Sequence, residues 1–120
     1  MAKTRVSHLS TGSQGEDQAA AYLREQGYDV LRRNYRTGKA EVDIIAQKGG
    51  ILVFVEVKTR ANDVYGFPEE AVSARKQQML LNAADAYISE TGWQHDIRFD
   101  IISITLGKPP ELFHIEDAFH

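Results

Sequence analysis

Two runs rich in Val and Ile, residues 41–47 and 51–59, stand on either side of Gly49-Gly50. Their composition predicts strands, and the glycine pair predicts a two-residue turn with positive φ at both positions. Such a hairpin dictates what faces what. A turn closed at Gly49-Gly50 sets opposite one another residues whose numbers sum to 99, so Asp43 faces Glu56 and Glu41 faces Lys58. Period-two alternation puts Glu41, Asp43 and Ile45 on one face of the first strand and Leu52, Phe54, Glu56 and Lys58 on one face of the second. Val42, Ile44, Val53, Val55 and Val57 take the other face. A three-residue loop or a bulge shifts this register.

Directly opposed side chains have Cβ atoms about 4.5–5.5 Å apart, and like charges at that spacing repel. Asp43 and Glu56 therefore call for a cation between them. Two carboxylates on otherwise apolar strands make a hard-oxygen site of the kind that suits Mg²⁺, which takes one or two carboxylates and keeps water and phosphate on its remaining positions. The plain structural alternative is a cross-strand ion pair of Glu41 with Lys58, with Asp43 and Glu56 solvated near strand ends. Glu41 fits either reading. Glu16 shares the apolar helix face of Ala19, Ala20 and Leu23, at i relative to i+3, i+4 and i+7. Its spacing from Ser13 also has the form of a capping box, and the two roles are compatible.

Around the hairpin, the Ser13 cap and the apolar stripe predict a helix of roughly three turns ending before Gly27. A short strand follows over residues 28–34. Pro68, Glu69 and Glu70 resemble a first helical turn, and Ser73 restarts a long helix through Met79, Leu80, Ala83, Ala84 and Tyr87 to Thr91-Gly92. Residues 97–105 and 112–115 read as strands around a turn at 107–110. The order α-β-β-β-α-β-β predicts an α/β fold, a mixed five-stranded sheet flanked by helices, in one domain over residues 13–120 behind a flexible arm, residues 1–12.

The ordered set of motifs is similar to a known group. Asp43 followed by Glu56-Val57-Lys58 resembles the Asp…Glu-x-Lys signature of the PD-(D/E)XK, or restriction-endonuclease-like, nuclease superfamily. More narrowly, the chain resembles the YraN-like family of small bacterial proteins, which are similar in pattern to archaeal Holliday-junction resolvases. The segments that carry this are Gly15-Glu16 with Ala20 and Tyr22-Leu23, Gly27-Tyr28, Arg33-Asn34-Tyr35-Arg36 and Glu41-Val42-Asp43-Ile44-Ile45-Ala46. They continue through residues 53–60, Lys76, Arg98-Phe99-Asp100 and Ala118-Phe119. Ala40 stands where the family has a glycine, and Val42 where the superfamily has a proline; neither change removes a ligand.

The resemblance implies a metal-dependent endonuclease acting on DNA, branched or otherwise structured, in repair, recombination or DNA uptake. Asp43 and Glu56 would hold Mg²⁺ or Mn²⁺, with the Val57 carbonyl as an extra ligand and Glu16 as an outer or second-metal carboxylate. Lys58 would orient the attacking water and offset charge developing on the phosphoryl group. Arg33, Arg36, Lys39 and Arg60, with Arg32, are candidate phosphate contacts, and Lys76 would reach the substrate backbone. Similar resolvases are two-fold dimers, which implies a homodimer here. Asp100 reads as structural, paired with Arg98 or an arginine of the hairpin. The four histidines show no ligand spacing and receive no role. Two non-catalytic alternatives stay open: a nuclease-fold protein that binds nucleic acid without cutting it, and an adaptor whose acidic C-terminal half docks a protein.

A net charge of -3 speaks against nucleic acid only until it is divided. Residues 1–60 hold 10 Lys+Arg against 7 Asp+Glu, a balance of +3, and residues 61–120 hold 4 against 10, a balance of -6. The average conceals a basic half that contains the hairpin. The chain has no cysteine, hence no disulfide framework or thiolate zinc site. With no apolar run long enough to span a bilayer and no secretory signal pattern, a cytoplasmic location is expected.

Overall fold

The hairpin is the centre of the sheet. The structure, a computed structural model, describes residues 11–60 and 73–119. Its elements are α1 (Thr11–Glu25), β1 (Asp29–Thr37), β2 (Ala40–Lys48), β3 (Ile51–Arg60), α2 (Ala74–Thr91), β4 (Asp96–Thr105) and β5 (Glu111–Ile115). They form the expected mixed sheet in the order β1-β2-β3-β4-β5. β3 and β4 run parallel, and every other neighbouring pair is antiparallel. A parallel pair requires a crossover, and α2 supplies it between β3 and β4. The two described helices thus cover opposite faces. Ala19, Ala20 and Leu23 of α1 pack with Ile44, Val53, Val55, Ile102 and Ile104. Leu80, Ala83, Ala84 and Tyr87 of α2 pack with Val42, Ile45, Leu52, Phe54, Phe99 and Ile101.

The register of the hairpin is the expected one: Lys48 pairs with Ile51, Ile45 with Phe54 and Ile44 with Val55. The turn differs in type. Only Gly49 has positive φ, at 60°, which is the pattern of a type II′ turn and leaves Gly50 in ordinary backbone space. Gly38, at φ 58°, closes a second two-residue turn between Thr37 and Ala40. That turn carries β1 past Asn34, where the sequence reading stopped, and makes Arg32, Arg33 and Arg36 members of an exposed edge strand.

The alternation expected in β2 breaks at Asp43. Val42 joins Ile45 in the core beneath α2, while Ile44 joins the core beneath α1, so Val42 and Ile44 do not share a face. The cause lies in the neighbouring strand: Arg33 pairs with Ile44 and Tyr35 with Val42, which puts Asn34 across from Asp43 in left-handed backbone at φ 54°. A non-glycine residue with positive φ interrupts the pleat.

Helix boundaries differ too. α1 begins at Thr11, so Ser13 lies inside the helix and is not its N-cap. Residues 11 and 12, assigned above to the arm, are helical; residues 1–10 and the helical turn expected at 68–70 lie outside the described residues. For α2 the reading holds: Ser73 is the N-cap, its Oγ accepting from the Lys76 N–H at 3.2 Å, and Gly92 closes the helix at φ 72°. Among the described residues no helix is long and apolar enough to cross a membrane.

Candidate active site

The β2–β3 ladder stops one residue short of the acids. Beyond the Ile44–Val55 pair, the Val57 N–H donates to Asp43 Oδ2 at 2.8 Å. A side chain has taken the place of a backbone acceptor at this point. An extended residue sends its N–H and C=O to the same edge, so the Val57 carbonyl also faces the Asp43 side.

Glu56, the neighbour of Val57, is 8% exposed. Its Oε2 lies 3.4 Å from the Lys76 Nζ, and its Oε1 is buried with no hydrogen-bond partner among the described residues. Burial pushes the Glu56 carboxyl up to about 7, the charge of Asp43 adds to that rise, and Lys76 and Lys58 oppose it. Asp43 is also raised, chiefly by burial, against the pull of the Val57 N–H and of Lys76. The two acids therefore sense each other, as opposed carboxylates should.

Glu16 comes to this pair from the other layer. Its pKa is raised by burial first and by Asp43 second, while Asn34 and Arg33 hold it down. What brings α1 so near is Gly15: a Cβ there would lie 1.8 Å from Thr59 Oγ1, so only glycine lets the helix backbone rest on the end of β3. Thr59 follows Lys58, and the helix acid is thereby set beside the hairpin acids.

The basic residues divide. Arg33 binds Asp17 at 2.8 Å and approaches Glu16 at 3.8 Å. Arg36 Nε is 3.3 Å from Glu41 Oε2. Glu41 therefore pairs along the outer hairpin, and the cross-strand pair with Lys58 proposed as the alternative is not formed. Lys39 is exposed in the β1–β2 turn, and Arg60 ends β3, where its carbonyl accepts from Leu106 N at 2.8 Å. Lys58 is half-buried and makes no ion pair among the described residues. Lys76, expected to reach the substrate backbone, forms an ion pair with Glu56.

Among the described residues no three His, Cys, Asp or Glu side chains gather into a metal cage. The arrangement is a carboxylate pair with a carbonyl at its side, which matches the demand of Mg²⁺ or Mn²⁺ for few protein oxygens. The partnerless Glu56 Oε1 fits such a cation, because a buried carboxylate oxygen without a donor is costly.

A second polar cluster was read from the sequence only in part. Asp100, 1% exposed, takes Arg98 through two hydrogen bonds of 2.8 and 2.9 Å, His114 Nε2 at 2.7 Å and the Asp117 N–H at 3.0 Å. Tyr22 and Tyr28 extend it through His114 and Arg98. The Asp100–Arg98 pair was legible from adjacency on one strand. The role of His114 was not, since its partners are separated from it by 14 and 92 positions.

The chain matches the model described as "Uncharacterised protein family UPF0102" over residues 15–104. It belongs to the UPF0102 family. Gly15, Glu16, the hairpin acids and Lys76 all fall within the matched span, whereas His114 and Asp117 lie beyond it. A UPF0102 protein of Chloroherpeton thalassium is 44% identical over 122 residues, covering 93% of this chain and 95% of the relative. One of Cytophaga hutchinsonii is 43% identical, covering 94% and 98%, and one of Alkaliphilus metalliredigens is 45% identical, covering 92% and 97%. The YraN-like expectation is met at the level of this family.

Proposed function

We propose that this UPF0102 chain is a metal-dependent endonuclease of the PD-(D/E)XK type that hydrolyses phosphodiester bonds in DNA. The observation that carries the reading is the Asp43–Glu56 pair: a half-buried and a buried carboxylate that repel each other at the mouth of a hairpin, one with an oxygen lacking any donor among the described residues, and Lys58 alongside. Asp43, Glu56 and the Val57 carbonyl would hold Mg²⁺ or Mn²⁺, with Glu16 as an outer carboxylate. The bound cation supplies Lewis-acid polarisation of the phosphoryl group and a lowered pKa for the attacking water.

The chain's own residues do the rest. Asp43 and Glu56 give up their shared repulsion and the proton that burial favours on Glu56. Lys76, displaced from Glu56, becomes a free cation at the edge of the site and turns to the substrate backbone. Lys58 orients the attacking water and offsets charge on the phosphoryl oxygens. Lys39 offers an exposed phosphate contact, and Arg60 lies at the β3 end of the same edge. Arg33 and Arg36 exchange carboxylates for phosphates, both being acceptors that suit a guanidinium.

The test uses purified protein with Mg²⁺ or Mn²⁺ and linear, single-stranded, flapped and four-way DNA. Cleavage is expected, and Asp43→Asn, Glu56→Gln and Lys58→Ala should each lower it by about 10²-fold or more. No cleavage of any substrate, or cleavage untouched by these changes, sinks the enzyme reading. The Lys76–Glu56 ion pair favours one second reading, a protein that binds nucleic acid and leaves it intact, because a lysine already occupies the place of the cation. Salt-sensitive retention of the same DNA without product identifies it.

A further inference from the structure

We propose that Ser103 is a positioning residue for Lys58, its hydroxyl accepting a hydrogen bond from the ammonium and fixing it over the acid pair. The inference rests on the nuclease reading for what Lys58 does; the contact itself stands apart from that reading.

Ser103 lies within Ile101-Ile102-Ser103-Ile104 of β4 and is 1% exposed. Its Oγ is buried and has no hydrogen-bond partner among the described residues. A hydroxyl removed from water and left unpaired costs about 1–3 kcal/mol, and a valine would fill such a place without that cost. The sheet shows where a partner stands. Lys58 on β3 and Phe113 on β5 are the two register neighbours of Ser103, one on each side. Phe113 offers no polar atom, which leaves Lys58.

Paired residues on adjacent strands project to the same face, and the face is the one beneath α2. Phe54 on β3 and Phe99 and Ile101 on β4 belong to that core, and Glu56 and Lys58 follow Phe54 at two-residue steps, as Ser103 follows Ile101. Glu56 pairs with Ile101, one rung before Lys58 and Ser103. The two buried side-chain polar atoms without partners among the described residues, Glu56 Oε1 and Ser103 Oγ, thus sit on consecutive rungs of one face, with Lys58 completing the second rung. Adjacent strands are about 4.7–4.9 Å apart, well within the swing of a four-carbon stem that lies along apolar surface. An ammonium has three donors; with one given to Ser103, two remain for the attacking water and a phosphate oxygen.

The experiment follows the ammonium itself. In protein labelled with ¹⁵N at lysine side chains, the Lys58 signal is assigned by its loss in Lys58→Ala, and its hydrogen exchange with water is measured with and without Mg²⁺. Ser103→Ala should speed that exchange about threefold or more in at least one of the two states, with Ser103→Thr restoring it. Its melting temperature should fall slightly, since the hydroxyl–ammonium hydrogen bond has gone. Unchanged exchange in both states overturns the proposal, whatever the melting temperature does. On DNA, Ser103→Ala should lower kcat about tenfold with KM unchanged, and Ser103→Thr should recover it. If the native protein cleaves no DNA, the nuclease reading fails and the exchange measurement still decides the Lys58–Ser103 contact. If it cleaves and Ser103→Ala matches it in both kcat and exchange, only the contact fails.

Discussion

Burial favours a proton on Glu56, and any cation held by the acid pair needs that proton gone. The native carboxyl titrates near 7, above its ordinary 4.5, so between those values the folded chain keeps a proton that the unfolded chain has released. Stability therefore falls as pH rises through this window and is level above it. Glu56→Gln removes the effect. In metal-free protein the variant should melt several degrees higher than the native chain at pH 8, corresponding to on the order of 1 kcal/mol or more, with the gain shrinking towards pH 5. Thermal melts at the two pH values check it, and a gain of equal size at both refutes the assignment. At this scale counting along the hairpin disclosed that Glu56 would lie within the field of Asp43 and Lys58. It did not disclose that Lys76 meets Glu56 or that Arg36 meets Glu41, because which cation reaches which anion depends on how the strands and layers pack.

The element that sets the third acid in place is α1, and it does so through a glycine. An alanine at position 15 meets Thr59 at the Oγ1, the Cβ and the Cγ2 alike, so no side-chain rotation at Thr59 relieves all of the overlap. Gly15→Ala should push the first turns of α1 off β3 and destabilise the protein by about 1–3 kcal/mol, despite the better helix propensity of alanine. Thr59→Gly in the same chain should recover part of that loss. Denaturant melts of the two single variants and the double variant measure the coupling, and strict additivity refutes the contact. Strand types and hairpin register were legible because period-two apolar runs bounded by glycines leave few other arrangements. The start of α1 was not, since the Ser13–Glu16 spacing obeys a local capping rule while Glu16 is drawn to Asn34, Arg33 and Asp43, which only the fold brings near.

Across the whole molecule, Asp100 joins parts that are distant in the chain: Tyr22 of α1 through His114, Tyr28 through Arg98, and the C-terminal segment through Asp117. Burial alone would raise its pKa, but His114, Arg98 and the Asp117 N–H outweigh that and hold it below the ordinary value of 3.8. The sign is opposite to that of Glu56: the stabilisation is complete above the ordinary aspartate range and is lost as pH falls through the lowered native value. Asp100→Asn should cost about 3 kcal/mol at pH 7, because it leaves Arg98 without its buried counter-charge, and the deficit should narrow near pH 3. Melts at the two pH values test this, and a deficit that widens in acid contradicts it. By itself the sequence determined the α/β layering, the five strands and the central hairpin register from Ile44–Val55 to the turn, since apolar period, turn glycines and pairing geometry act locally. Only the tertiary structure decided that Val42 and Ile44 part company at Asp43, that Lys76 neutralises Glu56, that Ser103 stands beside Lys58 and that His114 and Asp100 meet. Those contacts join strands and helices that are remote in the chain, and such contacts depend on how the layers pack, which periodicity along the chain does not encode.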